Sequence, residues 1–262
     1  MFQGRESQMS AVLGFSLLVF VALIHTVLGE RTILRPLFAA RWDVGISRFA
    51  AERILRFAWH LTSIAWIGLA AILLDLPPTL AIGIVCLLSG AVGFAGLRGH
   101  PAWPLFLLAG GFALAAGGFF PSGVAVTLAL VAAAVAVAVA GLHLYWVAGG
   151  RVGLANAVPQ HPDGSPKFKP GPVATAAVAL ACAGFAALII WRTFVGAPLW
   201  VDIALGVSAV AFTARAVGDG RSVGFTKRKR ATPFEKSDDA LFTPLVVVLL
   251  LGTLSAFAVS HG

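Results

Sequence analysis

Apolar residues in this chain come in long unbroken runs, not in the short alternations of elements that turn one side to water. A helix of about twenty apolar residues crosses the ~30 Å hydrocarbon layer of a bilayer. A window of that size predicts helices near 9–29, 50–74, 79–97, 104–120, 123–147, 172–195, 199–217 and 241–260. The expected fold class is therefore all-α, a polytopic integral membrane helical bundle with eight transmembrane helices. Short turns rich in proline and glycine, at Asp75 to Pro78, Phe120 to Gly123 and Gly196 to Pro198, close hairpins at one face. The fourth run is short, glycine-rich and flanked by Pro101 and Pro104, so a tilted or broken helix is expected there.

Polar positions collect in the other connections, which are longer and basic. Residues 30–49 carry Arg31, Arg35, Arg41 and Arg48, and 98–103 carry Arg98. Residues 148–171 carry Arg151, Lys167 and Lys169, and 218–240 carry Arg221, Lys227, Arg228, Lys229, Arg230 and Lys236. Excess Lys and Arg marks the cytoplasmic side. The expected location is the bacterial inner membrane with both termini periplasmic, and only Arg5 and Arg192 lie towards the other face. The first run has little positive charge before it, no small-residue cleavage pattern after it, and Glu30 and Arg31 following, which predicts a retained span.

Composition excludes a soluble domain, with 59% apolar and 11% charged residues. The net charge of +8 resides in the loops, so it reads as topology and attraction to membrane lipids, and the chain carries no nucleic-acid-binding module. Cys86 and Cys182 fall in separate apolar runs, away from any metal or redox spacing. Overlaying the halves divides the chain into four-helix membrane units at 1–122 and 123–262, with His25 answering to His143. Two explanations stay open: a parallel repeat, or the likeness of any four-span blocks with inward basic loops.

Two motifs mark the second half. One is His143-Leu-Tyr145-Trp146 followed by Gly149-Gly150; the other runs from Arg215 through Gly218-Asp-Gly220 and Lys227-Arg-Lys-Arg230 to Asp239, leading into Leu241-Phe-Thr-Pro-Leu245. Over about 124–260 the chain resembles a family of bacterial integral membrane proteins, domain-of-unknown-function family 3995. Gly220 stands where that pattern leads one to expect an aromatic. The resemblance implies a four-helix membrane unit and no activity.

Ionisable groups at membrane depth cost about 2.5–3.5 kcal/mol on insertion scales, so those present are functional candidates. His25, His60 and His143 all fall within about 12 Å of the inner interface at 1.5 Å rise per residue. Arg53, Arg56, His60 and Ser63 share one helical stripe. We expect His25, Arg53, Arg56, His60, His143 and Trp146 to line one cytoplasmic-side pocket that binds or transports a lipid or small amphiphile. Against this stand plainer roles: arginines snorkelling to phosphates, histidines bonding neighbouring carbonyls, and Trp146 in an interfacial aromatic belt. Lys227, Arg228, Lys229 and Arg230 are candidate anionic-lipid contacts, while Glu235, Asp238 and Asp239 are placed to cap the last helix or pair with that cluster.

No catalytic motif stands in the sequence, no metal site is expected, and no cofactor. Two alternatives remain open: a redox protein with b-type haem held by these histidines, and a structural or assembly subunit of a membrane complex.

Overall fold

A computed structural model describes residues 2–40, 42, 45–97, 100, 102–161, 163–228 and 232–259, with side chains from residue 8 onward. Among these residues all regular structure is helical, apart from one isolated bridge between Gln160 and Pro166. Seven helices are long and apolar enough to cross a membrane, and an eighth apolar helix is shorter. The chain is a multi-pass membrane protein. It divides into two compact units, Met1–Gly117 and Gly118–Gly262.

The first unit contains α1 (Phe2–Leu28), a π-helical turn (Gly29–Leu34), α2 (Arg35–Ala39), α3 (Arg48–Leu73), α4 (Pro78–Gly96) and α5 (Ala102–Ala116). A loop was expected from residue 30, because Glu30, Arg31 and Arg35 look like a water-facing connection. Instead the helical run continues to Ala39, with the wider π turn absorbing one extra residue. Ser47 then caps α3, its side chain accepting from Ala50 N at 3.3 Å. Proline opens α4, at the first helical position, where its missing N–H costs nothing.

Packing in this unit runs along the sequence: α1 on α3, α3 on α4, α4 on α5. At 15 residues, α5 is about 22 Å long. Its course is nonetheless defined by small residues. A Cβ on Gly83 would lie 2.5 Å from Leu114, one on Gly90 2.6 Å from Leu107, and one on Gly93 2.8 Å from Trp103. As the α4 number rises the α5 number falls, so α5 returns antiparallel along α4 through most of its depth. Lipid supplies no hydrophobic drive between helices, and such close backbone approach is what holds them.

The second unit comprises α6 (Ser122–Val147), the short α7 (Leu154–Ala157), α8 (Pro172–Phe194), α9 (Leu199–Val217), α10 (Pro233–Ser237), a second π turn (Asp238–Phe242) and α11 (Thr243–Ala258). Here the last helix packs against α6, α8 and α9, so the packing differs from the sequential arrangement of the first unit. The core is a seam of alanines, Ala129, Ala132, Ala133 and Ala136, set against Phe185, Ile189, Val201, Leu205 and Ala256. Gly252 of α11 sits so close to α6 that an added Cβ would collide with Ala132 and lie 2.9 Å from Leu128 O. Large apolar side chains such as Leu180, Ile203 and Val207 point outward, as lipid-facing positions should.

At the Gly196 turn, Arg192 donates to Asp202 Oδ1 at 3.0 Å and to Val259 O at 3.2 Å, which ties the ends of α8, α9 and α11 together. Asp202 lies in the first turn of α9, where the helix dipole favours an anion.

Candidate functional site

In the first unit the π turn aims Glu30 at α3. Arg56 grips its carboxylate with a two-pronged fork, Nε to Oε2 and Nη2 to Oε1, both 3.0 Å. Arg35 approaches Oε1 at 3.5 Å and His60 Nε2 approaches Oε2 at 3.6 Å. Three basic side chains thus converge on a single carboxylate. Their exposure decides what the cluster can do: Arg35 is 69% exposed and Arg56 42%, against 22% for Glu30. The cations face outward and the anion sits behind them.

Flanking contacts fix the frame. The Arg56 guanidinium lies 5.0 Å above the buried Phe38 ring, and Arg48 donates to Phe38 O, to Ala40 O at 3.1 Å and to Glu52 at 2.9 Å. Arg53 is exposed, its guanidinium 5.0 Å from the Phe49 ring. Of the residues expected in a pocket, the structure brings Arg56 and His60 together through Glu30. Glu30 and Arg35 were missed as members because both were assigned to a loop. The bidentate partner lies 26 positions away along the chain, which no local pattern reveals.

His25 belongs to a different contact set on the same two helices. Its ring stacks on Trp59 at 4.5 Å and meets Trp66 edge-on at 4.8 Å. Nε2 lies 3.2 Å from Trp59 O and 2.9 Å from Thr62 Oγ1, and the Thr62 hydroxyl donates to the same carbonyl at 2.6 Å. Trp59 returns the bond, its indole N–H donating to His25 O at 2.9 Å against the bare face of Gly29. With Thr26 donating to Ser63 at 2.8 Å, this is a polar clasp between α1 and α3. An iron ligand at His25 Nε2 would have to displace both contacts.

His143 lies in the second unit, where its Nδ1 is 2.8 Å from Val139 O one turn back and its ring meets Trp146 edge-on at 4.8 Å. The helix ends in a glycine motif: Gly149, at φ +95°, lets its own N–H reach Trp146 O and that of Gly150 reach Tyr145 O. Trp146 donates to Val152 O at 2.8 Å, pinning the following loop. The His-Leu-Tyr-Trp motif therefore serves a helix end and the loop after it.

The second motif of the sequence, from Arg215 to Asp239, builds a knot around Asp238, which sits on the other π turn and is fully buried. Its Oδ1 accepts from Arg215 at 2.5 Å; its Oδ2 accepts from Lys227 at 2.6 Å, Gly224 N at 2.9 Å and Thr243 at 3.0 Å. Lys227 also reaches Asp239 at 2.8 Å. The expectation that Lys227 touches anionic lipid is thus corrected: its ammonium is buried between two carboxylates, because Asp238 and Asp239 of the second π turn neutralise it. Arg228 is exposed, and Lys229 and Arg230 lie outside the described residues. Thr232 and Glu235 form a reciprocal capping box at the start of α10.

The chain between α9 and α10 folds back to meet the last carbonyls of α9. Phe225 N donates to Ala216 O and Thr226 N to Val217 O, satisfying groups that a helix end leaves open. Gly218, at φ +88°, packs against the Val223-Gly224 backbone with no room for a Cβ. Burial raises the pKa of Asp219, but donation from the N–H groups of Arg221, Ser222 and Val223 outweighs it and holds the carboxyl below its ordinary value. In the 148–171 loop the hydroxyl and N–H of Ser165 likewise hold Asp163 low, and Lys167 donates to Ser222 at 3.3 Å, joining the two loops.

Charge separates the clusters. The Asp238 knot balances two cations with two carboxylates and uses the buried carboxylate completely. The Glu30 cluster sets one carboxylate against two arginines and a histidine, with the arginines exposed. Among the described residues no group of three or more His, Cys, Asp or Glu side chains is placed to hold a metal ion.

Residues 136–254 match the family model described as protein of unknown function, DUF3995, which lies within the span of the resemblance seen in the sequence. Comparison with the curated proteins and with the solved structures finds no match.

Proposed function

We propose that this membrane protein binds a lipid or small amphiphile with an anionic head group at the Glu30–Arg35–Arg56–His60 cluster, in a bacterial inner membrane with that cluster on the cytoplasmic side. One observation carries this reading: two exposed guanidinium groups and an imidazole converge on one carboxylate, so the site holds more positive than negative charge. Guanidinium forks match carboxylate and phosphate oxygens. Exposed Ile33 and Leu37 stand one and two turns beyond Glu30 on the same helical run, offering an apolar track for a chain attached to such a head. Placement of both termini in the periplasm follows from the basic loops.

The test is native mass spectrometry of the full chain in detergent, with phosphatidylglycerol and phosphatidylethanolamine offered together. Wild type should retain the anionic lipid preferentially. Arg56→Gln should weaken that retention by roughly tenfold or more, since a hydrogen bond to a charged group contributes about 1.5–3 kcal/mol. Equal retention of both lipids, or an unchanged preference in a folded Arg56→Gln variant, overturns the reading.

A further inference from the structure

We infer that Glu30 is a tethered competitor, a carboxylate of the chain seated where the ligand's own anion docks, and that this anion is a phosphate monoester. The inference rests on the reading of the cluster as an anionic head-group site and adds its occupant and its ligand class.

The geometry points to a seat already filled. Both oxygens of Glu30 are spanned by the Arg56 fork at 3.0 Å, the arrangement an external oxyanion would adopt, while Arg35 and His60 stand farther off at 3.5 and 3.6 Å. A planar carboxylate offers two oxygens and one charge, which satisfies Arg56 and leaves the other two groups at loose distances. A terminal phosphate offers three oxygens in a pyramid and, above a second ionisation near about pH 6, close to two charges. Those oxygens suit three donors, Arg56 and His60 from α3 and Arg35 from α2. A phosphodiester, with two free oxygens and one charge, can engage the Arg56 fork but leaves Arg35 and His60 as loosely held as Glu30 does, so it binds more weakly than a monoester.

Glu30 has a flexible side chain, and Arg35, being largely exposed, can follow either anion. The buried knot around Asp238 offers a contrast: its carboxylate is fully buried, takes four donors and faces cations that are already balanced. No exchange is available there.

The experiment measures binding of three probes to the full chain in detergent: phosphatidic acid, a monoester; phosphatidylglycerol, a diester; and inorganic phosphate. Removing the competitor in Glu30→Gln should tighten phosphatidic acid binding at least about fivefold, and phosphatidic acid should bind more tightly than phosphatidylglycerol with or without the competitor; equal binding of the two lipids overturns the monoester assignment. A gain for inorganic phosphate as well supports the seat and marks a free anion as a source; a gain confined to phosphatidic acid supports the seat and marks the lipid. Unchanged or weaker phosphatidic acid binding in folded Glu30→Gln overturns the inference while leaving the head-group site standing. If wild type takes no anionic probe above a phosphatidylcholine background, the reading beneath it has failed as well. Should Glu30→Gln not fold, Arg35→Gln decides. It leaves the Arg56–Glu30 pair intact and should cut phosphatidic acid binding several-fold while sparing phosphatidylglycerol; equal loss for both, or none for either, overturns the monoester assignment.

Discussion

Replacing Asp238 by Asn tests whether the buried knot holds the second unit together. The carboxylate takes four donors on two oxygens, from Arg215, Lys227, Gly224 and Thr243. An amide keeps the shape but turns one oxygen into an NH2 group. If the NH2 faces Arg215, two donors oppose each other; if it faces Lys227, Gly224 and Thr243, four do. Removing one partner of a buried ion pair costs about 3–5 kcal/mol, because the other charge is left without compensation. Lys227 retains Asp239 at 2.8 Å, so we expect the lower end, about 3 kcal/mol, which is roughly a hundredfold in the folding equilibrium. The assay is reversible unfolding in mixed micelles with increasing SDS, followed by helical circular dichroism. Adding Lys227→Met to Asp238→Asn should recover part of the loss, since the buried ammonium that has lost one of its two carboxylates is then gone. A single variant within about 0.5 kcal/mol of wild type, or a double variant that loses the plain sum of the two, refutes the argument.

Asp219 has its carboxyl held low in the folded protein, so its contribution to stability is present above the unfolded value of about 3.9 and is lost as pH falls through the lower folded value; the amide shifts of Arg221, Ser222 and Val223 should titrate together below about pH 3.9, and a midpoint at or above it contradicts the hydrogen-bonded turn. Gly252→Val should push α11 off α6 and cost at least about 1–3 kcal/mol in the same micelle assay, whereas Gly206→Ala, with nothing within 4 Å of the new Cβ, should be harmless; equal effects would discredit the seam. Reporters fused at Leu76, before α4, and at Gly118, after α5, should read the same compartment if α4 and α5 both cross the membrane, and opposite compartments would remove α5 from the spans.

By itself the sequence determined the class of object and the places where helices turn. Apolar runs of membrane length need no partner to be recognised, since an isolated helix satisfies its own backbone in lipid. Pro78, Pro172, Gly149-Gly150 and the Thr232–Glu235 box act through bonds within a few residues, so their helix ends could be read locally. Charge was a different matter. Glu30 and Lys227 looked like loop and surface residues because a sequence shows what ionises but not what neutralises it. The Arg56–Glu30 fork and the Arg215–Asp238 pair join positions 26 and 23 apart, and only helix packing sets those distances. Both carboxylates ride on π turns, where one extra residue re-aims the side chain. That shift is a property of the packed helices, and it decided that one cluster is closed and neutral while the other keeps its cations facing outward.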